Sequence, residues 1–230
     1  MKNKILHFAL LIAVVAISAC SEEDDYKKYL EGGEIYYPGK IVGTRVYSGN
    51  DRVRLTGVFL SDPKVTQCLV YWNVRKDSVI YPVVRDDLFG QLDEILPVDE
   101  GIYNFEFITM DDEGNRSLVV NSIGYSYGDV YISQLKNRVI KDTTYSSSAK
   151  TLTIDWAGTD LTTGAFETEV LYTKNDGSTQ SVKIPISLAV NETSTKLEDY
   201  SRVGFKYRTF FKPDSLCIDT FYTDFIDTSK

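Results

Sequence analysis

The sequence predicts an all-β protein, two tandem β-sandwiches set behind a lipoprotein signal peptide. Three observations carry that expectation. Short β-branched and aromatic runs alternate with polar residues and are separated by turn residues at regular intervals. No long stretch has helical periodicity. The two halves also share a weak internal repeat at a constant offset of 103 positions.

The N-terminus comes first. Lys2 and Lys4 form a positive start, residues 8–17 form an apolar run, and the small residues Ser18 and Ala19 precede Cys20. A run that short cannot cross a bilayer core, which needs roughly 20 apolar residues. Ile17-Ser18-Ala19-Cys20 therefore predicts cleavage before Cys20, lipidation of its thiol, and membrane attachment through that lipid. Residues 1–19 are the expected signal peptide and 20–37 a lipidated acidic tether. Ser21-Glu22-Glu23-Asp24-Asp25 is too charged to fold alone. This block directly behind the cysteine resembles the export tag of Bacteroidota-type lipoproteins, which implies an outer-membrane location facing the exterior. Residues 26–37 are a polar and aromatic lead-in, and Pro38-Gly39 punctuates the start of ordered structure.

Charge and residue usage narrow the function classes. Without Lys2 and Lys4 the chain keeps 23 basic residues against 33 acidic, a net charge of −10. Such a surface repels phosphate backbones, so no nucleic-acid partner is expected. The single histidine, His7, lies in the signal peptide. Its loss removes Ser-His-Asp and Cys-His catalysis and nearly every zinc or copper site, so no cofactor and no metal is expected. Cys68 and Cys217 lie 149 positions apart and read as two free, half-buried thiols.

Along the chain, Val53-Arg54-Leu55 alternates, and Cys68, Val70 and Trp72 share one face of a second run. Residues 86–95 read as a loop with one turn. Residues 102–109 follow as a strand, then the turn Asp111-Asp112-Glu113-Gly114-Asn115. That turn superficially suggests a calcium loop, but its spacing departs from Asp-x-Asp-x-Asp-Gly and it reads as a hairpin turn. Further on, Leu152, Ile154 and Trp156 share a face, and Asn175-Asp176-Gly177-Ser178 is a hairpin turn after Glu169-Val170-Leu171-Tyr172. Asn191-Glu192-Thr193 reads as a loop.

The repeat sets the domain organisation. Ser78-Val79-Ile80-Tyr81-Pro82-Val83 recurs as Ser181-Val182-Lys183-Ile184-Pro185-Ile186, and Gly101-Ile102-Tyr103-Asn104-Phe105 as Gly204-Phe205-Lys206-Tyr207-Arg208, both shifted by 103. Residues 38–127 and 128–230 are then two β-sandwich domains, with a junction near residues 124–129. Each has about the size and strand count of an immunoglobulin-like or fibronectin type III sandwich. Leu152-x-Ile154-x-Trp156 resembles the second strand of a fibronectin type III domain, with Trp156 as its core tryptophan. Gly57 stands at that position in the first half, where Trp72 is expected to fill the space instead.

A wider resemblance rests on several blocks. They are the lipobox, Gly32-Gly33-Glu34-Ile35-Tyr36-Tyr37-Pro38-Gly39-Lys40, the block from Ser61-Asp62-Pro63-Lys64-Val65 to Trp72-Asn73, Glu100-Gly101-Ile102-Tyr103-Asn104-Phe105, Tyr207-Arg208-Thr209, and Ile218-Asp219-Thr220-Phe221-Tyr222. Together they resemble an uncharacterised family of Bacteroidota lipoproteins whose members tend to occur among the surface proteins of glycan-uptake systems. The resemblance implies a place at the cell surface and the fold. The lipobox, the acidic block, the missing histidine and the tandem sandwich together give the expectation of a surface lipoprotein that is not an enzyme and acts as a binding or accessory module for glycan or for a surface protein complex. A structural spacer or protein-docking module is the first alternative, and a carboxylate-based glycoside hydrolase the second. Among the aromatic residues, Tyr125, Tyr127 and Tyr131 at the junction form the candidate ligand contact, set against the packing of one domain on the other.

Overall fold

Alternate burial builds the first half. Strand β2 (Arg52–Phe59) sends Val53, Leu55, Gly57 and Phe59 inward, while every second residue faces water. The computed structural model describes residues 36–60, 62–86 and 89–229. Residues 1–19, expected as a signal peptide, Cys20 and the acidic residues 21–25 lie outside the described residues. The chain divides into Met1–Tyr37 and Pro38–Lys230, and the strands found among the described residues lie in the second unit.

Seven further strands complete this half: β1 (Val42–Asn50), β3 (Val65–Trp72), β4 (Asp77–Pro82), β5 (Arg85–Asp86), β6 (Phe89–Pro97), β7 (Gly101–Asp111) and β8 (Val120–Tyr127). They run in the order β4-β3-β7-β8-β1-β2-β6-β5. The β1–β8 pair is parallel, at Gly49 with Ser126 and Asn50 with Tyr127, and joins the two layers. Between them lie Val46, Val53, Leu55, Cys68, Val70, Phe105 and Phe107. Full burial of each aliphatic or aromatic side chain there is worth roughly 1.5–3 kcal/mol.

Three sequence expectations are revised in this half. The described part of residues 86–95 is not a loop with one turn: Asp86 pairs with Phe89 between β5 and β6, and β6 pairs with β2 from Gly90 opposite Phe59 to Pro97 opposite Arg52. Its inward residues are Gly90, Leu92 and Leu96, an alternation masked by Asp93 and Glu94. Trp72 packs only half-buried at the core edge, 6.5 Å from the Phe105 ring. The space over Gly57 belongs to Ile41, whose Cδ1 would stand 2.5 Å from a Cβ at Gly57. Finally, the connector is shorter than residues 124–129: β8 runs to Tyr127 and the next helix starts at Asp129, so Gly124 lies inside β8, where Val46 and Phe105 leave no room for a side chain.

After Gly128 comes a short helix α1 (Asp129–Gln134), then β9 (Ile140–Ser146), β10 (Thr151–Trp156), a single 3-10 turn (Leu161–Thr163), β11 (Ala165–Lys174), β12 (Thr179–Pro185), β13 (Ser194–Leu197), β14 (Tyr200–Phe211), β15 (Phe221–Tyr222) and β16 (Ile226–Asp227). One sheet is ordered β13-β10-β9, the other β12-β11-β14-β15 with β16 also on β14. Leu152, Ile154 and Trp156 do share the buried face, against Val170, Tyr172, Leu197 and Tyr207. The indole of Trp156 donates to Thr195 Oγ1 at 3.0 Å and meets Tyr207 edge-on at 5.4 Å. Asp176 accepts from the Ser178 amide at 2.8 Å in the turn that joins β11 to β12.

The topology explains the repeat. Residues 78–82 fall on β4 and 181–185 on β12, with Val83 and Ile186 just past their ends, while the second matching pair opens β7 and lies in β14. The order β4-β3-β7 in one half matches β12-β11-β14 in the other, and β6-β2-β1 matches β13-β10-β9. The fold is thus all-β, with the same sandwich built twice.

Candidate functional site

The outer face of the β12-β11-β14-β15 sheet carries the densest surface chemistry. Alternation puts Glu167 and Glu169 of β11, Ser181 and Lys183 of β12, and Lys206, Arg208 and Phe210 of β14 on that face. Register then sets the rows. Glu167 stands opposite Pro185 and Phe210, with Tyr222 beyond, and Glu169 stands between Lys183 and Arg208.

Arg208 is the centre. Its Nε donates to Glu169 Oε2 at 2.8 Å, and its guanidinium lies 4.7 Å from the ring centroids of Phe210 and Tyr222 and 4.6 Å from that of Phe225. Each such cation–π contact is worth about 0.5–1 kcal/mol at exposed sites and more where water is excluded. Lys183 Nζ bonds Glu167 Oε1 at 2.9 Å and sits 5.4 Å from the Phe210 ring. The bond to Glu167 raises the Lys183 pKa. Lys206 and Asp227 pair at 3.3 Å at the far end of the face. Three cations are thereby matched to three carboxylates, so the face carries no net charge.

The rings themselves are available. Tyr222 is 54% exposed, and Phe166 and Phe225 remain partly open to water, with Phe166 6.4 Å and Tyr222 6.0 Å from the Phe210 ring. Large apolar rings at a surface normally hide, and here a charge lattice that satisfies its own ions holds them in place. Such a face can stack on apolar C–H surfaces and trade hydrogen bonds at its rim.

Of the three tyrosines expected to touch a ligand, the fold gathers two. The Tyr127 and Tyr131 rings are 5.0 Å apart, and Phe221 packs edge-on to both at 6.2 and 5.0 Å. The Tyr131 hydroxyl donates to the Thr163 carbonyl at 2.7 Å and that of Tyr127 to Asp214 Oδ2 at 3.3 Å. Burial raises both phenol pKa values, that of Tyr127 to about 12. Tyr125 stands apart from this cluster, 46% exposed on β8 and opposite Ile102 across the sheet. Cys68 and Cys217 are free and buried, with no bridge between them. Asp111 closes its turn by accepting from the Glu113 and Asn115 amides at 3.1 and 2.8 Å and from the Asn115 side chain at 2.8 Å.

Sequence reasoning missed Arg208 and its rings as a site. The alternation of Lys206, Arg208 and Phe210 was visible, but the residues that complete the rows lie far along the chain, as Glu167 does from Phe210. It also missed Arg138, which is 1% exposed and lies 5.4 Å over the Trp156 ring. Arg138 donates to the carbonyls of Ala157 at 3.2 Å and of Asn191, and burial lowers its pKa.

Among solved structures, the FN1–FN3 domains of chicken CNTN1 are similar at 14% identity and a TM-score of 0.41, over 84% of this chain and 66% of that one. This chain therefore spans just under two thirds of that structure. A two fibronectin type-III domain segment from chicken tenascin is similar at 11% identity and a TM-score of 0.28, over 84% of this chain and 97% of that one. No curated protein matches. The model of the DUF4998 family, a domain of unknown function, matches residues 20–221, and the chain belongs to that family.

Proposed function

We propose that the chain is a non-enzymatic binding module, held at the exterior face of an outer membrane by lipid on Cys20, that retains glycan through Phe166, Phe210, Tyr222 and Phe225. The single observation behind this reading is the set of partly exposed rings arranged round Arg208. Sugar rings offer apolar C–H faces for stacking and hydroxyls for the polar rim. Because its ions are already matched, the face gives a charged polymer little attraction, whereas a neutral polysaccharide meets no electrostatic barrier. The acidic block at residues 21–25 supports the exterior placement by resemblance alone.

Affinity electrophoresis of the purified chain through a panel of neutral polysaccharides tests the binding. Retardation by at least one of them, lost in Tyr222→Ala, is the expected result. Mobility unchanged by every polysaccharide, or a retardation that Tyr222→Ala and Phe225→Ala leave intact, would overturn it. The location has its own test: Cys20→Ala releases the protein to soluble fractions, and protease shaving of intact cells removes the wild type.

A second reading, a spacer or docking module, is favoured by the junction. There Asp219 bonds Arg52 and the Asn50 amide, and Ser48 bonds Asp214 at 2.7 Å, fastening the two halves together. Cross-linking on intact cells that captures one constant protein neighbour, with no polysaccharide binding in the panel, would select this reading.

A further inference from the structure

A separate groove lies on the outer face of β1, β2 and β6, in the other half of the molecule. Its origin is a bulge. The β1–β2 register shifts between Val42 and Arg45, and Gly43 takes a left-handed φ of 62°. The bulge re-aims the strand beside a groove of about 400 Å3 lined by Arg45, Tyr47, Thr56, Gln91 and Asp93. Cross-strand register places Arg45, Thr56 and Asp93 in one row, with Thr56 in the middle.

The charges here are not matched. Arg54 holds Asp93 with two bonds of 2.6 Å, which occupies both carboxylate oxygens, and its guanidinium lies 5.7 Å from the Tyr47 centroid. Arg45 is exposed and joins no ion pair among the described residues. Two guanidinium charges therefore face one carboxylate, a local excess of +1 on a chain whose net charge is −8. An unpaired guanidinium is a planar fork that fits a carboxylate with two parallel hydrogen bonds.

We propose that this groove binds an acidic saccharide, with Arg45 gripping a uronate carboxylate, Tyr47 forming the apolar wall, and Thr56 and Gln91 meeting ring hydroxyls. A hydroxyl-bearing ligand is favoured over an acidic peptide because Thr56 and Gln91 each both donate and accept, and sugar hydroxyls answer in both senses. A sugar ring also lays an apolar C–H face on Tyr47, which an acidic peptide's carboxylates and backbone do not offer. The site is independent of the ring lattice on the second half, so either can fail without the other.

Titration calorimetry of the purified chain with a galacturonate oligomer, a neutral oligomer of equal length and oligoglutamate separates the possibilities. The galacturonate oligomer binds, and Arg45→Ala weakens it about tenfold or more, the size of one charge-assisted contact. Tyr47→Ala also weakens it, and added salt reduces it. No heat with the galacturonate oligomer, an Arg45→Ala affinity equal to wild type, or an equal loss in Arg45→Ala for the neutral oligomer or for oligoglutamate would overturn the proposal. Arg45 is exposed, so its variant tests the contact without disturbing the core.

Discussion

At the scale of single residues, absent and buried groups matter most. A Cβ at Gly124 would stand 2.2 Å from Val46 Cγ1, 2.8 Å from Val46 Cβ and 3.1 Å from Phe105 Cε2. Val46 is β-branched and stiff, so Gly124→Ala should cost about 1–3 kcal/mol in denaturant unfolding. Trimming the neighbour in Val46→Ala/Gly124→Ala should recover part of that loss, and strictly additive effects would refute the contact. Burial also pushes the Cys68 thiol up to about 12 and raises that of Cys217. A thiol whose folded pKa is raised contributes stability that is fully present below its unfolded value of about 8.5 and lost as pH climbs towards the folded value. At pH 8 a maleimide should therefore label neither cysteine in the folded chain and both in denaturant, as read by mass spectrometry. Arg138→Lys should destabilise measurably, by about 1–3 kcal/mol, because an ammonium cannot reproduce the fork that reaches two carbonyls while covering Trp156.

At the scale of the element, β15 shows how two adjacent residues serve opposite purposes. Phe221 turns inward, 4% exposed, against Tyr127 and Tyr131, while Tyr222 turns outward beside Arg208. The pleat alone dictates this division. Phe221→Ala should cost about 3–5 kcal/mol of stability, the usual range for a buried aromatic. Tyr222→Ala should change thermal unfolding little and abolish polysaccharide retardation. The reverse pattern, measured on the same two proteins, would mean that the ring lattice is packing rather than a binding face.

At the scale of the whole molecule, the 38–230 unit is tied across its middle by residues far apart in sequence. The Ile218 amide donates to the Ser48 carbonyl at 2.7 Å, and Glu100 accepts from the Val130 and Tyr131 amides at 2.6 and 2.9 Å. Asp219 is held below the usual carboxylate range by its bond to Arg52. A carboxylate with a depressed folded pKa contributes stability that is present above its unfolded value, about 3.9, and lost as pH falls through the folded one. Arg52 is 45% exposed, so the pair is worth about 1 kcal/mol or less after solvent screening. Asp219→Asn should thus unfold slightly earlier than wild type at pH 7, and the gap should narrow steadily as pH falls below about 3.9. An unchanged gap in acid would show that the carboxylate charge plays no part.

What the sequence determined by itself was local and periodic. Alternation at Leu152, Ile154 and Trp156, the turn at residues 175–178 and the 103-position repeat were legible because each needs only neighbours along the chain. Where charged residues blurred that alternation, as Asp93 and Glu94 do in β6, the strand read as a loop. Tertiary structure alone decided which strands became neighbours. It therefore decided that Tyr127 and Tyr131 meet Phe221, that Ile41 covers Gly57, and that Arg208 stands among Phe210, Tyr222 and Phe225. The physical reason is register: a strand's own residues fix which face each side chain takes, but only pairing with distant strands fixes what it finds there.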